Sequence, residues 1–379
     1  MGYLPMIYAC IETNIPKMLS TNILRLLSTN IPKIHQEWKY HTALTRLYSR
    51  QQNSTPAKNV FTDRKAPWRV LFFGNDDFAL QSLMQLHHNY RAGKSIGHLE
   101  IVTPYDGREN IVAKYARQHG IAIRNWPPDI NLSEFDIGLV VSFGYLIPSR
   151  IILSFPLGML NVHGSLLPRW RGAAPIIYAL LNGDSETGIS IMKVMPKKFD
   201  IGEVVAQQKL NVHPDETMPE LRHRMSRLGA DLLMDTVEKL PDILDHAVPQ
   251  SNEGITYAPK VTRKLSIVKW NEMTAKNVYD LQRALCKLYP LTTTFMGATL
   301  KLFDVRVLGD PLPGKQVSDI APGLLTFNQE LHKLVVYCRG NTKISISKIG
   351  YPGRPPMSAQ DFYNGYLSKN QLQQYLFSS

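Results

Sequence analysis

Asn161 and His163 stand two residues apart in the apolar stretch Met159-Leu-Asn-Val-His163, and Asp200-Ile-Gly202 follows, its aspartate thirty-seven residues after the histidine. Side chains alternate along an extended segment, so the amide and the imidazole face one side and address a common point. Both can donate to an oxygen that gains negative charge, and the ring can also take up a proton. A carboxylate beside the ring would orient it and select the nitrogen that faces a substrate. Three such groups suit attack on a carbonyl, but a carboxylate-oriented imidazole recurs on unrelated folds and names no reaction by itself. Between the two segments runs Gly164-Ser-Leu-Leu-Pro-Arg-Trp-Arg171-Gly-Ala-Ala-Pro175. Arg169 and Arg171 bracket Trp170, a combination suited to phosphate or an RNA terminus through bidentate donors and stacking. Ser165 either hydrogen-bonds within the site or shapes the turn.

The elements around these residues alternate between strand and helix. Val70-Leu-Phe-Phe73 with Gly74 reads as a buried strand and tight turn, and Asn75-Asp-Asp77 supplies a helix cap. Further apolar runs at 100–103, 137–142 and 159–162, with a helical stretch over 109–119, predict a Rossmann-like α/β domain with a parallel sheet. No G-x-G-x-x-G follows the first strand, so the sequence offers no dinucleotide fingerprint. Residues 188–194 and 203–212 read as strands flanking Asp200, which puts it on a loop at strand ends. Thr217-Met-Pro-Glu220 is a capping box opening a helix whose Leu221, Met225, Leu228 and Leu232 pack and whose Arg222, Arg224 and Arg227 form a solvated face. Past Leu240 the pattern loosens, and 241–266 reads as a linker. From Trp270 onward, glycine-punctuated runs such as 298–308 and 334–337 predict a small β-rich barrel.

The chain has 379 residues, 44 % hydrophobic, enough for two cored domains. Its net charge of +12 is unevenly placed: residues 1–65 carry +6, 66–259 carry −3 and 260–379 carry +9. The basic leader and C-terminal third point to a polyanionic partner held away from the mildly acidic catalytic region. Cys10, Cys286 and Cys338 are scattered without CxxC spacing, so neither a disulfide framework nor a zinc site is expected. Residues 18–31 place Leu19, Ile23, Leu26 and Leu27 on one helical face with no acid nearby, which fits a mitochondrial transit peptide, with Met18 as an alternative start. No apolar run is long enough to span a membrane.

With Asn-x-His-x-Ser-Leu-Leu-Pro at 161–168 and the later Asp200-x-Gly202, the chain resembles the 10-formyltetrahydrofolate-dependent formyltransferases. The longer match Ser165–Ile176, together with Arg69–Phe78, Tyr257–Lys260 and Met357–Tyr366, is similar to the methionyl-tRNA branch of that family. The resemblance implies transfer of the formyl group of 10-formyltetrahydrofolate to the α-amine of methionyl initiator tRNA in the mitochondrial matrix, with no metal. It implies Asn161, His163 and Asp200 as catalytic residues, and Ser165, Leu166, Leu167, Pro168, Arg169, Arg171, Gly144 and Tyr145 as substrate-binding residues. Segment 141–148 would line the pterin pocket. The expected partners are initiator Met-tRNA and folate, with no membrane and the chain acting as a monomer. The implied organisation is a leader over 1–65, a catalytic domain over 66–240, the linker over 241–266, an OB-like tRNA-binding domain over 267–370 and a tail over 371–379. One departure stands out: bacterial members carry a basic glycine-rich insertion after the second strand, whereas here 103–108 passes almost directly into a helix, leaving Arg108 as its sole remnant. A 10-formyltetrahydrofolate hydrolase, a nucleotide-sugar formyltransferase and an idle RNA-binding protein are the competing readings.

Overall fold

The computed structural model describes residues 64–104, 107–131, 134–309, 320–368 and 374–379. The expected transit peptide and the alternative start at Met18 lie outside the described residues, as do 105 and 106 of the shortened turn.

Strand β1 (Trp68–Gly74) opens the sheet, and Asp76 caps α1 (Asp77–Arg91) by accepting from the Phe78 and Ala79 amides at 3.1 Å. There follow β2 (Ile96–Val102), α2 (Ile111–Gln118), β3 (Ala122–Arg124), β4 (Ile137–Val141), the single turn α3 (Ser149–Ile152) and β5 (Met159–His163). Then come α4 (Pro175–Leu181), β6 (Glu186–Lys193), β7 (Val204–Asn211) and α5 (Met218–Glu238). The strands lie in the order β3-β2-β1-β4-β5-β6-β7. The first five run parallel, as expected, while β6 and β7 add an antiparallel edge. The loop between β6 and β7 is too short for the helical crossover that a parallel pair requires. Residues of β1 alternate between two cores: Val70 and Phe72 face the layer of α1 and α5, and Leu71 and Phe73 face Phe143, Phe155 and Met159. A strand buried on both sides needs a continuous apolar run, which is what the sequence shows.

The capping box of α5 forms as read, with the Thr217 amide donating to Glu220 at 2.8 Å. Its arginines correct the expected solvated face. Arg222 pairs with Asp76 at 2.6 Å and Asp77 at 2.8 Å, with its guanidinium over the Phe78 ring, and Arg224 pairs with the buried Glu216 at 2.7 Å. Helix α1 lies alongside α5, so the polar flank of α5 meets a capping carboxylate instead of water. Only Arg227 is exposed.

The second half contains an element the sequence reading missed. Helix α6 (Ala275–Leu285) is capped by Thr274, whose side chain accepts from the Asn277 amide. Its buried Arg283 donates to Asp280 at 2.7 Å and to the Glu216 carbonyl at 3.1 Å, tying the helix to the segment before α5. Around α6 the strands β8 (Leu291–Phe295), β9 (Ala298–Leu308), β10 (Leu324–Asn328), β11 (Lys333–Tyr337) and β12 (Lys343–Gly350) curl into an antiparallel sheet. β13 (Met357–Ser358) pairs with β12, α7 (Ala359–Phe362) follows, and β14 (Tyr375–Leu376) pairs with β10. Ser378 then bridges to Thr294 of β8, so the last residues, expected as a tail, close the barrel with Phe377 in its core. No helix among the described residues is long and apolar enough to cross a membrane.

Candidate active site

The parallel order reverses between β1 and β4, and at such a switch point the strand ends splay apart and leave a crevice. A cleft of about 600 Å³ opens there. Its wall takes Asp76 after β1, Ser142 to Ile147 after β4, and Asn161 and His163 from β5. As the alternation requires, Asn161 and His163 lie on the same face of β5 and both line the cleft. The Asn161 amide has no hydrogen-bond partner among the described residues, so both of its N–H groups are available to a bound carbonyl oxygen.

His163 is 5 % exposed, and its Nε2 lies 2.9 Å from the carbonyl oxygen of Trp170. A carbonyl only accepts, so Nε2 carries the hydrogen and the neutral ring keeps its lone pair on Nδ1. Nδ1 faces Asp200 Oδ1 at 3.8 Å, beyond hydrogen-bond range but close enough for charge to act on charge. The ring is thus fixed by the turn that follows it, and the carboxylate addresses its other nitrogen.

Asp200 sits at φ +51°, the left-handed region that side chains ordinarily avoid, and its Oδ2 accepts from the Gly172 amide at 2.8 Å. Gly202 has its own reason: a Cβ there would stand 1.8 Å from the Lys193 carbonyl, so only glycine lets the loop between β6 and β7 fold back on itself. The Asp-x-Gly spacing therefore serves a carboxylate held in an unusual conformation and a backbone crossing two residues later.

The cleft separates the predicted site residues into two groups. Gly144 and Tyr145 line it with the three polar groups; Ser165, Leu166, Leu167, Pro168, Arg169 and Arg171 do not. Ser165 is fully buried and donates to the Arg169 carbonyl at 2.6 Å, shaping the turn. Arg169 makes a bidentate pair with Asp184 at 2.9 and 2.6 Å and stacks on Trp170, whose indole N–H donates to the same carboxylate at 2.8 Å. Hydrogen bonding to Asp184 holds the Arg169 pKa above its usual value. Arg171 has no carboxylate partner among the described residues and donates to the Gln250 side chain. The motif is thus largely a rigid frame behind His163, because a turn that must present one carbonyl to one ring nitrogen needs its own polar groups satisfied.

Phe143 falls in the segment 141–148 expected to line the pocket, but sequence reasoning missed Val140, Ile152 and Val194, which share the apolar lining of the cleft, and the adjoining Trp126, whose ring lies 4.8 Å from that of Phe143. These residue types look like ordinary core, and nothing in their spacing marks them. Sequence reasoning also gave no role to the segment after β7 and α5, although Tyr257–Lys260 carries part of the resemblance. Thr256 and Ala258 hold the signature turn through Arg171 N–H to Thr256 O at 2.9 Å, Ala258 N–H to Arg171 O at 2.7 Å, and Trp170 N–H to Thr256 Oγ1 at 2.8 Å. Gly172 packs so closely on this segment that a Cβ would meet the Ala258 carbonyl at 2.6 Å. Loosened hydrophobic patterning marked 241–266 as a linker, but its backbone is fastened to the site.

Residues 108–237 match the family described as Formyl transferase, and residues 260–367 match the Formyl transferase, C-terminal domain. A mitochondrial methionyl-tRNA formyltransferase of Rattus norvegicus is 42 % identical over 312 residues, spanning 80 % of each chain. The Homo sapiens protein of the same name is 40 % identical over 80 % of this chain and 79 % of its own. The methionyl-tRNA formyltransferase of Roseobacter denitrificans is 33 % identical over 78 % of this chain and 95 % of its own. Among solved structures, an N-formyltransferase from Helicobacter canadensis superposes with a TM-score of 0.55 at 14 % identity, over 75 % of this chain and 99 % of that one, a likeness of fold. With this identity sustained across both halves of the molecule, the chain belongs to the methionyl-tRNA formyltransferase family.

Proposed function

We propose that the protein transfers the formyl group of 10-formyltetrahydrofolate to the α-amine of methionyl initiator tRNA, in the mitochondrial matrix and as a monomer. The single observation that supports this most is that Asn161, His163 and Asp200 line one cleft, with the last two facing each other at 3.8 Å, in a chain of this family. The cleft also suits the donor. Phe143, Val140, Ile152 and Val194 offer apolar surface to a flat heterocycle, and the loop around Gly144 brings backbone groups to its edge.

The roles follow from the geometry. Attack of the amine on the formyl carbon pushes charge onto the formyl oxygen, and the Asn161 amide, which has no partner among the described residues, donates to it. The amine must lose a proton, and His163 Nδ1 is the basic atom that faces the cleft, since Nε2 is committed to the Trp170 carbonyl. The imidazolium so formed is stabilised by Asp200 and returns the proton to the departing folate nitrogen. No metal is required by this sequence of steps. The negative charge of the tRNA is met by the basic C-terminal barrel and by Arg171, whose guanidinium has no carboxylate partner among the described residues.

The test is formyl transfer from 10-formyltetrahydrofolate to charged Met-tRNA by a chain starting near residue 52, with uncharged tRNA and no-tRNA blanks. Transfer that requires the charged tRNA supports the reading. Release of formate without an acceptor would point to a hydrolase, and tight tRNA binding with no turnover to an idle RNA-binding protein.

A further inference from the structure

Gln250 lies in the segment between α5 and the barrel, and its side chain uses its whole hydrogen-bonding capacity on the two halves of the site. Its Oε1 accepts from Arg171 Nε at 3.0 Å and Nη2 at 2.7 Å. Its Nε2 donates to the carbonyls of Asp200 and Gly202, both at 2.9 Å. An amide offers two hydrogens and two lone pairs, so none is left over. The partners also fix which way round the amide sits: flipped, it would set NH₂ against a guanidinium and oxygen against two carbonyls.

This contact falls at a left-handed residue. Asp200 is at φ +51°, a conformation that aspartate tolerates better than most side chains but still at a cost, so contacts around it help to hold it. On one side the loop is jammed against Lys193 through Gly202; on the other the Gln250 amide is the side chain that grips the carbonyls of both residues. The Asp200 carboxylate, 3.8 Å from His163 Nδ1, depends on that backbone for its aim.

We propose that Gln250 is a positioning residue for the transfer: it holds Asp200 in its left-handed conformation, and so keeps the carboxylate facing His163. The inference rests on the formyl-transfer reading of the site. Its rival is that Gln250 merely anchors Arg171, and the two donors and two lone pairs allow these roles to be separated. Gln250→Glu is nearly isosteric and still accepts from Arg171, now as an ion pair, but it cannot donate and would set a carboxylate against the two carbonyls. Gln250→Ala removes both functions.

In steady-state formyl transfer to Met-tRNA, both variants are expected to lower kcat by about tenfold to a hundredfold, the usual cost of misplacing a catalytic group by about 1 Å; each KM stays within about threefold of the parent in Q250E, whereas Q250A, which also frees Arg171, raises the KM for Met-tRNA as well. Wild-type kcat in Q250E beside a loss in Q250A would overturn the proposal in favour of the Arg171 anchor. A crystal structure of Q250E gives a readout independent of turnover. Asp200 is expected to leave the left-handed region and move away from His163; an Asp200 that stays in place overturns the proposal. A parent protein that fails to formylate Met-tRNA, beside a displaced Asp200 in Q250E, would sink the functional reading and support the positioning role.

Discussion

The two ends of the parallel sheet carry similar residue types and use them differently. At the carboxyl ends of β1, β4 and β5, Asp76 and Ser142 are engaged with each other, with the α1 cap and with Arg222, but His163 lines an open cleft, and among the described residues its Nδ1 is in no hydrogen bond and the Asn161 amide has no partner. At the opposite end, Asp136, just before β4, is gripped by the Arg69 amide at 2.9 Å, by the Arg69 guanidinium at 2.8 and 3.2 Å, and by Arg64. A polar group whose every valence is met inside the protein stabilises the fold; one left facing a cavity that a ligand can enter is available for chemistry. The difference comes from topology, because the reversal of strand order between β1 and β4 opens a crevice at the carboxyl ends of the strands.

The comparison breaks first if substitutions at the cleft end unfold the protein. Asp200→Asn and His163→Ala should each lower kcat by about 10²- to 10⁴-fold, the usual range for a lost acid–base group, with little change in the thermal midpoint. Steady-state kinetics beside a thermal melt checks both halves of the statement. A large drop in midpoint would mean that the pair is part of the frame. Asn161→Ala should follow at about 10²- to 10³-fold in kcat, as for a single oxyanion donor. An equal rise in KM with kcat preserved would instead make the amide a binding group.

How much of this division was legible in the sequence differs by residue. Alternation along Met159–His163 put Asn161 and His163 on one face, and the structure keeps them there. Helix caps at Asp76 and Thr217 and the strands on either side of Asp200 were equally readable, because each rests on local stereochemistry. The partner of a charged side chain was not legible. Arg222 and Arg224 read as solvent-facing because periodicity gives a helix its polar flank but not the carboxylate that another segment brings to it. Helix α6 was hidden among glycine-marked strands, although Thr274 and Asn277 form its cap. Gln250 was invisible for the same reason as Arg222: its role depends on two loops meeting at it.

Arg169 and Arg171 sharpen the comparison within a single turn. Arg169 is bound to Asp184, whereas among the described residues the Arg171 guanidinium reaches only a neutral side-chain amide. Arg169→Met strips Asp184 of its cation and should cost about 1–3 kcal/mol, seen as a fall of several degrees in thermal midpoint. Arg171→Met should be milder in stability and act mainly on the KM for Met-tRNA. A reversal of these two results would exchange the frame and the binding residue.

The smallest expected effect lies at the far end of the sheet. Burial pushes the Asp136 carboxyl pKa up, but the hydrogen bonds and charge of Arg69, with those of Arg64, more than reverse this and hold it below the ordinary carboxylate value. A depressed folded pKa means that the unfolded chain binds a proton more readily, so the stabilisation is present above the unfolded value of about 3.9 and fades as pH falls through the folded value. Arg69→Met removes the main partner from a carboxylate that stays largely buried. It should cost roughly 1 kcal/mol near neutral pH, a figure limited by the exposure of Arg69 to solvent, and should raise the pH at which acid unfolds the protein. Formyl transfer measured below the melting range should be unchanged, because this ion pair sits at the end of the sheet remote from the cleft. An acid midpoint that does not move would show that Arg64 alone suffices to hold Asp136, and a fall in kcat would mean that the two ends of the sheet are coupled.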